Sequence, residues 1–211
     1  RRILTFGEHE ESDARLLDFT LEEASSIVEA VIAGHRLSYE INAAGKHLVL
    51  NSLSVLAAVH ALGADLEGAA AALKNFKSLK GRGQRRQIFW QEGSLLLIDE
   101  SYNASPASMM AAIGVLSLAK PKGHGRRIAV IGDMLELGSR SEVLHAELVK
   151  PLTSGGIDLV FTAGSLAKVL WDRLPSDMRG GHAVNAKELA PLVLSFIGNG
   201  DIVMVKGSLG S

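Results

Sequence analysis

The chain has 211 residues, of which 47% are hydrophobic, so it can bury one large core or two smaller ones. Its formal net charge at pH 7 is -1, so the sequence offers no basic surface for nucleic acid or an anionic membrane. No apolar run approaches the roughly 20 residues that span a bilayer, and no apolar signal segment follows a positively charged N-terminus. The absence of cysteine excludes disulfides and thiolate metal sites, and together these features predict a cytoplasmic protein.

The N-terminal part is predicted to combine strands with two helices. Residues 3–6 are an apparent strand, and residues 35–41 alternate apolar and polar side chains as a half-buried strand does. Apolar residues at helical spacing predict a helix over residues 47–62, with Gly63 as a left-handed stop. A second helix is predicted over about residues 65–76.

The stretch over residues 77–86 is basic and contains glycine, which is typical of an exposed connection. We therefore place a domain boundary between residues 83 and 84. Beyond it, short apolar strands alternate with amphipathic helices, the pattern of a parallel sheet with crossover helices. The predicted strands cover residues 95–98, 128–131, 159–162, 182–184 and 202–205.

The helices of this second part carry candidate N-terminal caps. Ser139 has Glu142 three residues later, and Asn185 has Glu188, and each pair can satisfy free amides of a first helical turn. The sequence predicts an α/β fold in which residues 84–211 form a Rossmann-like domain. Its sheet should have at least five mainly parallel strands with helices on both faces.

Ligands of an open parallel sheet bind outside the carboxyl ends of its strands. Those ends are polar or small here, which favours a ligand-binding domain over a plain scaffold. They comprise residues 99–103, 132–134, 163–165, 185 and 206–208.

The segment from Asp99 to Pro106 is the densest in functional groups. A carboxylate there can accept both hydroxyls of a ribose, and an aromatic or amide side chain can hold a nucleobase. The alternative is a helix cap made by Ser105 with Pro106 at the first helical position. Both interpretations can hold at once.

Three further candidates lie elsewhere. His47 and Asn51 share one helix face, where they could pair with a nucleobase edge, although they make a poor metal site. Lys206 could bind a carboxylate or phosphate. Asp133 and Glu136 could attract an amine or only solvate their loop.

No G-x-x-x-x-G-K-[ST] occurs, so the sequence contains no recognisable phosphate-cradling loop.

Three motifs resemble those of the Mur ligase family, most closely its MurF type. Residues 97–109 read L-I-D-E-S-Y-N-A-S-P-A-S-M, similar to D-D-S-Y-N-A-N-P-x-S-M. Residues 130–138 with His145 resemble G-D-M-x-E-L-G-x(6)-H, and residues 205–208 match V-K-G-S. Glu100 stands where the family motif has a second aspartate, and Ser105 replaces an asparagine.

The resemblance implies an ATP-dependent ligase that adds D-alanyl-D-alanine to a UDP-N-acetylmuramoyl-tripeptide through an acyl phosphate. It assigns no catalytic residue and no metal ligand to this chain, since Mg²⁺ ligands and the P-loop are expected upstream. The implied nucleotide-binding residues are His47, Asn51, Arg82, Asp99, Glu100, Tyr102 and Asn103. The implied substrate-binding residues are Asp133, Glu136, Lys206 and Ser208.

The resemblance also implies a division of the chain. Residues 1–83 would be the C-terminal part of a P-loop-type central ATPase domain, and residues 84–211 most of the C-terminal domain. We therefore expect a monomeric fragment that is inactive alone, with small-molecule substrates and no nucleic acid or membrane partner. The alternatives are another Mur-like or folylpolyglutamate-synthase-like amide ligase, or a non-catalytic Rossmann-like binding module.

Overall fold

The structure, a computed structural model, describes residues 3–90 and 93–210. The chain divides into two compact units, Arg1–Lys77 and Ser78–Ser211. The boundary predicted from composition, between residues 83 and 84, falls a few residues inside the second unit.

The first unit is a four-stranded sheet packed against helices. The sheet order is β1-β2-β3-β4, with β1 parallel to β2 and the other pairs antiparallel. Its elements are β1 (Phe6–Gly7), β2 (Ala14–Leu21), β3 (Ser26–Ile32), β4 (His35–Ile41), α1 (Lys46–Ala61) and α2 (Leu66–Ala72). Alternate residues of β3 and the buried stripe of α1, including Leu53 and Leu56, form one core.

Some of the predicted elements of the first unit are confirmed, and others were wrong or missed. Strand β4 and helix α1 match their predictions, and Gly63 has a φ of 68° after the helix end. The strand predicted over residues 3–6 was wrong, because only Phe6 and Gly7 pair with β2. Strands β2 and β3 were both missed. A register shift between Leu16 and Asp18 interrupts the alternation of β2.

The second unit contains a six-stranded sheet in the order β5-β6-β10-β7-β8-β9. Only the edge strand β5 is antiparallel, so the predicted sheet of five or more mainly parallel strands is confirmed. The strands are β5 (Gln84–Trp90), β6 (Gly93–Asp99), β7 (Arg127–Ile131), β8 (Leu159–Ala163), β9 (Arg179–Ala183) and β10 (Ile202–Lys206).

Helices cover both faces of this sheet. They are α3 (Pro106–Leu118), α4 (Ser141–Ala146), α5 (Val149–Ser154), α6 (Ala167–Arg173) and α7 (Ala186–Phe196). Ile98 and Met204 pack in the core that contains residues of α3, α5 and α6. Their strand neighbours Leu95 and Val203 point to the other face and pack with Leu189 of α7. This alternation buries the parallel strands on both sides.

The helix caps decide where two loops end. Ser105 Oγ accepts from the N–H of Ser108, with Pro106 at the first helical position, and the side chain of Asn185 accepts from the N–H of Glu188. Both predicted caps are confirmed. The cap predicted at Ser139 was wrong, because that residue already lies in a 3-10 turn that runs into α4.

Among the residues that the structure describes, no helix combines the length and the apolar character needed to cross a membrane.

Candidate functional site

The carboxyl ends of β6, β7 and β10 surround a cavity of about 470 Å³ in the second unit. Its polar lining comes from Tyr102 and Asn103 after β6, Glu136 after β7 and Ser208 after β10. These three loops meet because β10 lies between β6 and β7 and runs parallel to both. The topology therefore brings residues more than a hundred positions apart into one polar cavity.

Asp99, the last residue of β6, fixes the first of these loops. Its buried carboxylate accepts hydrogen bonds from the N–H of Gly81 at 3.2 Å and from the N–H and Oγ of Ser101 at 3.2 and 2.6 Å. Burial opposes ionisation, but these bonds and the charge of Arg86 outweigh it and lower the pKa of Asp99. Its oxygens are thus engaged by the protein's own donors.

Arg82 and Tyr102 form a flat surface beside this loop. The Arg82 guanidinium lies 4.1 Å from the centre of the Tyr102 ring, a cation–π contact. The N–H of Tyr102 donates to the carbonyl of Gly81 at 3.0 Å, which holds the two segments together. Because Tyr102 stays half exposed, the pair presents an aromatic face to solvent.

Lys206, at the end of β10, lies beneath the same loop and is 3% exposed. Its Nζ donates to the carbonyl of Asn103 at 2.9 Å and lies 3.9 Å from Oε2 of Glu100. Burial lowers the pKa of Lys206, partly offset by the charge of Glu100. Burial likewise raises the pKa of Glu100, although Lys206 opposes this shift. The opposite charges of Lys206 and Glu100 therefore offset part of the free-energy cost of burying each group.

Asp133, just after β7, is also buried. Its Oδ1 accepts from the N–H of Ala167 at 2.7 Å, the first residue of α6. The same carboxylate lies against Gly164, where a Cβ atom would collide with it. Asp133 therefore ties the loop after β7 to the loop after β8.

Glu136 and Ser208 are brought together by the loop after β7. The N–H of Leu135 donates to Oγ of Ser208 at 3.1 Å, and the N–H of Ser208 donates to the carbonyl of Asp133 at 2.9 Å. Glu136 has a φ of 63°, the left-handed region that non-glycine residues seldom adopt, and it is exposed toward the cavity. This carboxylate is available to an incoming cation.

A neighbouring cavity of about 420 Å³ lies on the α7 face of the sheet. It is mostly apolar, lined by residues such as Val130, Leu189 and Val205, and reaches Lys206 and Ser208 at its polar end. The two cavities share Ser208 and Leu209.

His47 and Asn51 belong to helix α1 of the first unit and lie one helical turn apart on it. Their roles at a nucleobase remain predictions. Within residues 3–90 and 93–210, no group of three or more His, Cys, Asp or Glu side chains could hold a metal ion.

Sequence reasoning gave no individual role to His145, which the structure buries completely against the loop after β7. Its fixed distance from the G-D-M motif was the available signal. Leu135 and Leu209, which also line the polar cavity, were missed because apolar loop residues carry no recognisable chemistry.

Comparison with known proteins gives concordant results. The family model described as "Mur ligase, glutamate ligase domain" matches residues 81–209. The UDP-N-acetylmuramoyl-tripeptide--D-alanyl-D-alanine ligase of Bacillus subtilis (strain 168) is 32% identical over 209 residues, covering 98% of this chain and 44% of that ligase.

Two solved structures resemble the fold. The MurF ligase of Thermotoga maritima in complex with ADP has a TM-score of 0.75 at 26% identity, covering 97% of this chain and 44% of that chain. The UDP-N-acetylmuramoylalanyl-D-glutamyl-2,6-diaminopimelate--D-alanyl-D-alanyl ligase of Acinetobacter baumannii has a TM-score of 0.79 at 25% identity, covering 98% and 43%. The chain spans less than half the length of these relatives.

Proposed function

Since the chain belongs to the Mur ligase family, we propose that it forms the nucleoside-binding and amino-acceptor-binding part of an ATP-dependent ligase that adds D-alanyl-D-alanine to a UDP-N-acetylmuramoyl-tripeptide. Two observations support this acceptor over other amino acids. The motif strings of residues 97–109 and 130–138 resemble those of the MurF type. The names of the Bacillus subtilis and Acinetobacter baumannii relatives also specify D-alanyl-D-alanine as the group that is joined to the UDP-linked peptide.

The observation that carries the proposal is the polar cavity at the ends of β6, β7 and β10. A dipeptide is zwitterionic, so its site needs a negative group near the amine and a positive group near the carboxylate. Glu136 lines the cavity as an exposed carboxylate. Lys206 does not line this cavity itself, but its Nζ donates to the carbonyl of the lining residue Asn103 and so brings positive charge next to the cavity. Asp133 and Ser208 hold the loop that carries Glu136.

We assign nucleoside binding to the adjoining surface of Arg82 and Tyr102. An exposed aromatic ring backed by a guanidinium provides the flat contact that adenine needs. We propose that Asp99, Glu100 and Asn103, which belong to the loop beneath this surface, contact the ribose. For His47 and Asn51 of the first unit, which we interpret as the end of a central ATPase domain, binding of a nucleobase remains a prediction from the resemblance.

In the proposed reaction ATP phosphorylates the tripeptide carboxylate, and the dipeptide amine then attacks the acyl phosphate. The residues of this chain orient the amine and the nucleoside and keep water from the reacting atoms. Stabilising the transferring phosphoryl group needs backbone amides, a lysine and Mg²⁺. Among the described residues, no group of three or more His, Cys, Asp or Glu side chains could hold a metal ion. We propose that Mg²⁺ and the phosphate contacts belong to the part of the related ligases that this chain does not match, as the resemblance implies.

Titration of the ¹⁵N-labelled chain tests the acceptor site. We expect D-alanyl-D-alanine to shift amide signals in residues 101–105, 132–137 and 206–208. L-alanine and D-glutamate at the same concentration should produce much smaller shifts. Glu136→Gln should weaken the response, whereas Glu142→Gln, a change at an exposed carboxylate of α4, should leave it intact. Equal shifts with all three ligands would contradict the proposed specificity.

A second experiment measures phosphate release with ATP, Mg²⁺, the UDP-linked tripeptide and D-alanyl-D-alanine. We expect turnover by this chain to lie at least about a thousandfold below that of the complete ligase, because adenosine contacts alone leave the phosphoryl group without donors. Turnover within tenfold of the complete ligase would contradict the proposal that the phosphate contacts lie outside this chain.

A further inference from the structure

His145 is the only fully buried histidine among the described residues, and it contacts the loop that presents Glu136. It lies on α4, behind that loop. The N–H of Met134 donates to Nε2 of His145 at 2.9 Å, and Nδ1 of the ring lies 2.7 Å from the carbonyl oxygen of Ser141. Both ring nitrogens are therefore engaged by backbone groups.

These two contacts require a single form of the ring. Nε2 accepts a hydrogen bond from Met134, so it carries no proton. Nδ1 faces a carbonyl, which can only accept, so Nδ1 carries the proton. The neutral ring with its proton on Nδ1 is thus the form that links α4 to the loop. Neither ring nitrogen is left to bind a ligand.

The link between His145 and the Met134 amide matters because Met134 lies next to the turn that carries Glu136. Met134 is fully buried and immediately precedes the turn, and Glu136, two residues later, adopts the left-handed φ of 63°. The direction of the Glu136 side chain therefore depends on a backbone held in place at Met134. Ser208 anchors the intervening amide of Leu135 from the opposite side.

We propose that His145 is a positioning residue of the amino-acceptor site: its Nε2 holds the Met134 amide and so directs the Glu136 carboxylate into the cavity. This inference rests on the function proposed above. It predicts that loss of the acceptor at Nε2 weakens binding of the dipeptide amine while leaving the nucleoside surface of Arg82 and Tyr102 unaffected.

The test compares three variants of the complete ligase. His145→Leu removes both ring nitrogens, whereas His145→Gln keeps an amide oxygen that can accept from Met134. Leu148→Ala is the control, since it truncates a fully buried side chain shortly after α4 that makes no side-chain bond to the loop. We expect His145→Leu to raise the KM for D-alanyl-D-alanine about tenfold, with the KM for ATP within about twofold.

The glutamine variant should recover most of that loss, and Leu148→Ala should lower thermal stability without separating the two KM values. Hydrogen exchange of the Met134 amide, measured in the 211-residue chain, should quicken in His145→Leu and return toward the original rate in His145→Gln.

Either of two outcomes would overturn the proposed role of His145 while leaving the proposed function intact. One is an unchanged KM for D-alanyl-D-alanine in His145→Leu. The other is a selective rise of that KM, with the KM for ATP unchanged, in Leu148→Ala as well. A complete ligase whose turnover does not depend on D-alanyl-D-alanine would instead overturn the proposed function, and the acceptor role of His145 with it.

Discussion

Asp99 shows how one buried carboxylate organises a loop by accepting hydrogen bonds from the protein's own donors. Its oxygens accept from Gly81 and Ser101, and its pKa is lowered because these bonds and Arg86 outweigh the effect of burial. A lowered pKa in the folded state means that the stabilisation is present above the ordinary value of 3.8 and disappears as the pH falls through the lowered value.

We therefore expect Asp99→Asn to reduce the free energy of unfolding by about 1–3 kcal/mol at pH 7. The difference from the original chain should shrink as the pH falls below the ordinary value of 3.8 and through the lowered pKa of the folded state, because the wild-type carboxyl then also becomes protonated. Urea unfolding at several pH values measures this. The exposed Asp177→Asn serves as the control and should show little change. A loss for Asp99→Asn that is independent of pH would contradict the ionic explanation.

Lys206 gives a second prediction at this scale. In the complete ligase, Lys206→Ala should raise the KM for D-alanyl-D-alanine far more than the KM for ATP, because the lysine is proposed to supply the positive charge of the dipeptide site. Steady-state kinetics with each substrate varied in turn decides this. Equal increases in both values would show instead that Lys206 acts through Asn103 on the whole loop after β6.

At the scale of elements, the connection between β8 and α6 depends on Gly164. The residue has a φ of 103°, and an added Cβ atom would collide with the carboxylate of Asp133. Gly123 has a φ of 59° with open space around it. Both positions strain an alanine, but only the first adds a clash with a buried side chain.

Gly164→Ala should therefore lower the free energy of unfolding by about 2 kcal/mol more than Gly123→Ala does. Denaturant unfolding of the two variants provides the comparison. Similar losses would mean that Asp133 moves aside easily and does not tie the two loops together.

Strands with continuous apolar runs were predictable from sequence, whereas several strands that depend on pairing with their neighbours were not. Strands β6, β7, β8 and β10 carry continuous apolar runs and were found close to their observed bounds. Strand β5 was missed, because as an antiparallel edge strand it is largely exposed and begins with Gln84, Arg85 and Arg86, which suggest a connection. Strand β9 begins earlier than predicted, because Gly180 and Gly181 hide its pattern.

At the scale of the whole molecule, each unit has its own buried core. The core of the first unit draws on residues from Ala14 to Ala70, and the cores of the second draw on residues from Leu95 to Met204. We expect residues 78–211 expressed alone to unfold cooperatively at nearly the same urea concentration as the corresponding transition of the full chain. A fragment without a cooperative transition would show that its fold requires the first unit.

The site shows the same division between what sequence can and cannot predict. The ends of parallel strands pointed to Tyr102, Asn103 and Ser208, because that position follows from topology, and Glu136 was a separate candidate in the loop after β7. Sequence reasoning assigned two of them to a nucleotide and two to an acceptor, whereas the structure places all four around one cavity. Which loop ends are adjacent depends on strand order, and no local pattern encodes the insertion of β10 between β6 and β7.

That strand order has a consequence for biosynthesis. Strand β10 follows the other five strands in sequence but occupies a central position in their sheet. A ribosome adding about 5–20 residues per second would complete β10 about 75 residues after the end of β7, leaving the flanking strands β6 and β7 without their shared neighbour for about 4–15 s. During that time, each of these two apolar strands has an unpaired edge that can pair with another chain. We therefore expect the nascent second unit to be most prone to aggregation before β10 is complete.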